Sequence, residues 1–162
     1  MKIQVFPYKQ LEQIIAKQPI ENIISIRDIG YNELYKPLDS NTKNILIVQF
    51  DDVTDFAVKN KMIHEFYNYK SKNRKLVLFN EDMAKEIIKF ADSIYNANET
   101  LTIHCWAGRS RSQADAYVLN NYYNLFKENN LNDYKNNLSQ FLNDFHGNQD
   151  VIRILTKCLM LN

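Results

Sequence analysis

The chain has 162 residues, 45% hydrophobic and 24% charged, an ordinary balance for one domain with its own core and unlike that of a disordered chain. Its 20 Lys and Arg against 19 Asp and Glu leave a net charge of +1, which excludes the diffuse basic surface that non-specific nucleic-acid or anionic-membrane binding needs. Two cysteines, Cys105 and Cys158, outside any CxxC or HExxH arrangement make neither a disulfide framework nor a zinc site, and 3 glycines are too few for a GxGxxG or GxxxxGK phosphate loop.

The opening residues, MKIQVFPYKQ, lack the apolar core of a secretory signal, and no apolar run approaches the ~18 residues of a membrane span, so a cytoplasmic protein with reduced thiols is expected. Lys2 to Phe6 reads as a short strand closed by Pro7, followed by a helical spacing of Leu11, Ile14 and Ile15 up to Pro19. Ile20 to Ile26 is a second, β-branched strand. A polar, tyrosine-containing loop is expected from Asp28 through Pro37, with Tyr31, Tyr35 and Pro37 in it. Asn44 to Phe50 (NILIVQF) reads as a third strand buried on both faces, ending in Asp51 and Asp52.

A polar helix over about 55–68 and a solvated basic cluster at Lys70, Lys72, Arg74 and Lys75 follow. Asn80 is placed to cap a helix that carries Met83, Ile87, Ile88, Ala91 and Ile94 on one face. Leu101 to His104 is a fourth, buried strand, and helical patterns cover about 110–127, 131–145 and 148–161. Within the last, Cys158 falls on the apolar stripe and is expected in the core, whereas His64 and His146 are expected on the surface. Strands alternating with helices predict a single α/β domain over residues 1–162, its central, mostly parallel sheet flanked by helices. Such sheets bind ligands outside the carboxyl ends of their strands, where Asp51-Asp52 and His104-Cys105 fall.

The segment His104-Cys105-Trp106-Ala107-Gly108-Arg109-Ser110-Arg111-Ser112 joins a strand end to a helix start. If its backbone N–H groups converge they form an anion cradle, and the helix N-terminus adds positive potential at the same point, both of which favour a thiolate at Cys105. Gly108 permits a sharp turn, Arg111 can grip two phosphate oxygens through its planar fork, Ser112 can offer its hydroxyl to the sulfur, and His104 can brace the loop.

The pattern HCxxGxxR followed by Ser or Thr resembles the signature loop of the cysteine-dependent protein tyrosine phosphatase superfamily, and HCWAGRSRS with a strand ending in Phe-Asp-Asp is similar to its compact dual-specificity branch. That resemblance implies the phosphatase fold, Cys105 as nucleophile, Arg111 as phosphate ligand and Ser112 as the hydroxyl that helps the covalent intermediate break down. It also implies phosphate contacts from the backbone amides of Trp106, Ala107, Gly108, Arg109, Ser110 and Arg111, and a pocket wall shaped by Tyr31, Tyr35 and Pro37. The general acid it implies is Asp52, 53 residues before the nucleophile, with Asp51 and Asp55 as alternatives.

The activity implied is hydrolysis of phosphomonoesters on phosphoproteins, phosphotyrosine first, with no metal or organic cofactor and no nucleic-acid or membrane partner. The oligomeric state is left open by the sequence, a monomer being compatible with it. The competing readings are a phosphatase of the same fold acting on a phosphoinositide or an RNA 5′-triphosphate, a non-catalytic phospho-binding module, and a sulfur-transfer domain. The last does not require an Arg six residues after the cysteine.

Overall fold

Four strands pair in parallel in the computed structural model, which describes residues 1–60, 75–126 and 147–161. They are β1 (Lys2–Pro7), β2 (Ile20–Arg27), β3 (Thr42–Gln49) and β4 (Thr100–Cys105), in the spatial order β1-β4-β2-β3. Because all four run the same way, their carboxyl ends lie along one edge, and Pro7, Asp28, the Phe50–Asp52 segment and Cys105 are delivered there together. The predicted strands and sheet type are those observed.

Helices cover both faces. On one, α1 (Tyr8–Ile15) and α2 (Lys36–Ser40) pack Leu11, Ile15 and Leu38 against Ile23. On the other, α4 (Glu81–Asn96), α5 (Arg111–Asn121) and α6 (Gln149–Leu161) close over Ile24, Ile26, Leu101 and Ile103. The alternation of Ile23 with Ile24, and of Leu101 and Ile103 with Thr102 and His104, follows from the two-residue period of a strand. Each aliphatic side chain so buried contributes about 1.5–3 kcal/mol. Asn80 caps α4 as predicted, its Oδ1 accepting from the amides of Asp82 and Met83 at 3.1 Å. Cys158 is buried among the apolar side chains of α6, and burial pushes its thiol pKa up.

Three expectations need correction. β3 is not fully buried on both faces: it pairs with β2 alone, Ile47 is 42% exposed, Ile45 and Leu46 are half-buried against the core, and Val48 is the residue of the strand that is fully buried. A dense aliphatic run reports strand propensity, which an edge strand shares with a central one. The stretch through Pro37 is not a plain loop, since a 3-10 turn at Asn32–Tyr35 leads directly into α2 with Pro37 in its first turn, where a missing N–H costs nothing. Tyr35 is correspondingly buried rather than part of a pocket wall.

The helix after the third strand, α3 (Asp55–Lys59), is described as far as its C-cap Asn60. The remainder of that predicted helix, Lys70, Lys72, Arg74, His64 and His146 lie outside the described residues, as does the predicted helix over 131–145. No helix among the described residues is long and apolar enough to cross a membrane.

Candidate active site

Cys105 is the last residue of β4 and its side chain is buried beneath the loop that follows. Its Sγ lies 3.1 Å from Ser112 Oγ in the first turn of α5, the distance at which the hydroxyl can donate to sulfur. The loop between them reverses at Gly108, whose φ of +66° suits glycine, and an added Cβ there would sit 2.7 Å from Pro7 N. Two further bonds hold the turn: Tyr8 N donates to Trp106 O at 3.2 Å, and Gln113 Nε2 donates to Gly108 O at 3.0 Å. Trp106 is 44% exposed, with its ring stacked on that of Tyr8. Arg109 is exposed.

Arg111 opens α5 with a buried guanidinium that reaches the ends of two other strands. Nη1 donates to Phe50 O at 2.8 Å, and Nη2 pairs with Asp28 Oδ1 at 2.9 Å. Asp52 faces the same group, its Oδ2 4.0 Å from Arg111 Nε. The other carboxylate oxygen of Asp52 accepts two hydrogen bonds, from Ser110 Oγ at 2.8 Å and from Asn148 Nδ2 at 3.0 Å. Ser110 precedes α5 but does not cap it, because its hydroxyl is committed to Asp52.

The three candidate acids thus separate by contact. Asp51 is buried and Oδ2 accepts from Val77 N at 2.9 Å, so it ties the strand end to the segment before α4. Asp55 pairs with Lys59 within α3, and its backbone N–H donates to Asp150 at the start of α6. Asp52 is the one of the three joined to the cysteine loop.

Beneath the loop, His104 accompanies Cys105 on the opposite face of the sheet. Register places Ser25 of β2 beside it, and His104 Nε2 is 2.7 Å from Ser25 Oγ. Ser25 Oγ also accepts from Arg27 Nε at 2.8 Å, and Arg27 in turn pairs with Asp39. Burial, then the neighbouring Arg27 charge, pushes the His104 pKa down to about 3, so the ring is neutral at physiological pH. Through Nε2, His104 ties the end of β4 to β2. Tyr35 packs edge-on against Tyr8 and under the Arg27 guanidinium, completing a buried polar layer below the site.

No family model matches the sequence, and no curated protein matches it. Solved structures do match in fold. Tk-PTP, in its active form, superposes with a TM-score of 0.52 at 12% identity, over 96% of this chain and 90% of that chain. The Cydia pomonella PTP-2 phosphatase superposes with a TM-score of 0.52 at 16% identity, over 97% of this chain and 85% of that chain. The fold is that of the protein tyrosine phosphatases.

On this phosphatase fold, sequence reasoning had found the loop residues and Asp52 but not Asp28, Gln113 or Asn148. Asp28 carried a readable signal, being an acid directly after a buried strand in a sheet whose strand ends share one edge. Asn148 carried half of one. Its Oδ1 accepts from Val151 N at 3.2 Å, the usual role of an asparagine before a helix, while the amide that reaches Asp52 answers a contact 96 residues away.

Proposed function

We propose that this protein is a cysteine-dependent phosphatase that hydrolyses phosphomonoesters on phosphoproteins, phosphotyrosine among them. The observation that carries the reading is the convergence of Cys105, Ser112, Arg111 and Asp52 on one loop, from two strand ends and a helix start. In this mechanism the Cys105 thiolate attacks phosphorus in line, and the backbone amides of residues 106–111 with the Arg111 fork hold the phosphate oxygens. The P–O bond to the substrate breaks as Asp52 gives its proton to the leaving oxygen. A cysteinyl-phosphate remains.

Water then attacks that intermediate, passing its proton to the Asp52 carboxylate, while the S–P bond breaks and Ser112 donates to the departing thiolate. The two bonds on Asp52 Oδ1 leave Oδ2, the oxygen facing Arg111, free to carry the proton. No step calls on a metal or an organic cofactor.

The test is turnover of a phosphotyrosine peptide, with phosphoserine and phosphothreonine peptides as further arms, followed by acid quenching and mapping of the labelled residue. Label on Cys105, and loss of turnover with retained peptide binding in Cys105→Ser, are expected. Turnover near the parent rate in that variant overturns the proposal.

A further inference from the structure

The phosphate-binding arginine of the reading above is already shared with a carboxylate. Of its five N–H donors, one bonds Phe50 O, one meets Asp28 Oδ1, and the Nε–H has no hydrogen-bond partner among the described residues. A phosphate that takes the Nε–H and the second hydrogen of Nη2 must share Nη2 with Asp28, whose side chain is 32% exposed at the same strand edge. Of the other carboxylates near this edge, Asp55 pairs with Lys59, Glu33 with Lys36 and Asp39 with Arg27, while Asp52 faces the same Arg111. Asp28 has Arg111 as its partner, so an arriving dianion draws on the charge that balances it.

With Asp52 protonated for its acid role, the guanidinium's single positive charge balances Asp28. The loop amides and the α5 N-terminus can stabilise one phosphoryl group. A second anion beside the reacting phosphate at this strand edge meets Asp28, whose side chain is 32% exposed. Arg109 is exposed, where salt screens its attraction.

We propose that Asp28 is a specificity-determining residue, selecting phosphomonoesters flanked by cationic side chains over substrates that carry a second anionic group beside the reacting phosphate. The inference rests on the phosphatase reading and narrows it to phosphopeptides with basic neighbours, away from polyphosphate ends and multiply phosphorylated headgroups. Two unit charges held roughly 7 Å apart at a protein surface interact strongly enough to change a binding constant by about tenfold.

Two phosphotyrosine peptides of equal length, one flanked by lysines and one by glutamates, test it. The parent protein should favour the lysine peptide by about tenfold in kcat/KM, and added salt should erode that preference. Asp28→Asn keeps an oxygen to accept from Arg111 but removes the charge, and should move the ratio towards the glutamate peptide by about tenfold, through KM more than kcat. A parent preference for the glutamate peptide, or a ratio unchanged in the variant, overturns the inference.

If Asp28→Asn does not fold, the affinities of both peptides for Cys105→Ser protein across a salt series decide the matter, and equal affinities overturn it. Failure of the parent to hydrolyse either peptide would sink the phosphatase reading instead, and those affinities would still decide the charge preference. Faster hydrolysis of an RNA 5′-triphosphate than of either peptide also overturns it.

Discussion

Asn148 donates to Asp52 across 3.0 Å, joining the start of the last helix to the end of the third strand directly above the cysteine loop. The same Asp52 oxygen takes the Ser110 hydroxyl, so the carboxyl group is oriented from two elements at once. Asn148→Ala removes one of these bonds without touching a group that exchanges protons with substrate. It should lower kcat on phenyl phosphate by about tenfold while leaving the nitrophenyl ester much less affected, because only the poorer leaving group depends on a well-aimed acid. Equal loss on both esters would instead mark Asn148 as a support for the fold.

Asp52→Asn is the stronger form of that experiment. Loss of a general acid typically costs about 10² to 10⁴ in rate, and the cost should fall on phosphotyrosine peptide and phenyl phosphate far more than on the nitrophenyl ester. Asp51→Asn should behave differently, since its carboxylate bonds Val77 N in a buried site. Its effect should appear as a lower urea midpoint with no dependence on leaving group. If the two variants exchange these behaviours, the acid is Asp51.

Gly108 offers a test of the loop's shape that alters no chemical group. Alanine there must adopt a φ of +66° and place its Cβ 2.7 Å from Pro7 N, a separation that forces the backbone to move. The conformational penalty alone is about 1–2 kcal/mol. Displacing the loop from Pro7 also breaks its register with the Tyr8 amide, so Gly108→Ala should lose about 10²-fold in kcat/KM, as misplaced catalytic groups do. A variant within threefold of the parent, about the spread of replicate assays, would show that the cradle tolerates repositioning.

What could be read from the chain divides along physical lines. Residues 104–112 were legible because cradle, turn, fork and hydroxyl all lie within nine consecutive positions, each with a residue type that few other roles demand. The parallel sheet was legible because short segments rich in isoleucine and leucine, Ile20–Ile26, Asn44–Phe50 and Leu101–His104, are separated by stretches of helical period. The environment of β3 was not, because whether a strand stands at the edge depends on what pairs beside it. Asp28 and Asn148 were hidden for a related reason: their partners, Arg111 and Asp52, are 83 and 96 residues distant in the chain. Local pattern has no access to such contacts.

Asp115 provides the remaining prediction, and it concerns stability instead of turnover. One turn of α5 beyond Arg111, this aspartate is fully buried, and neither carboxyl oxygen has a hydrogen-bond partner among the described residues. Burial pushes its pKa up to about 8 from the ordinary 3.8. The folded protein therefore holds a proton that the unfolded chain releases near pH 4, so the contribution of this group to stability is complete below about pH 4 and declines as pH rises towards 8. Each pH unit inside that window costs at most about 1.4 kcal/mol, and relaxation or water entry around the carboxylate reduces the total.

Asp115→Asn removes the ionisation while keeping nearly the same shape. Urea midpoints measured at pH 5 and pH 8 should therefore fall steeply in the parent and much less in the variant, with Asp115→Asn the more stable of the two at pH 8. Parallel pH profiles for the two proteins would mean that the Asp115 carboxylate is accommodated in its charged form, and would refute the assignment of a buried neutral acid one turn beyond Arg111.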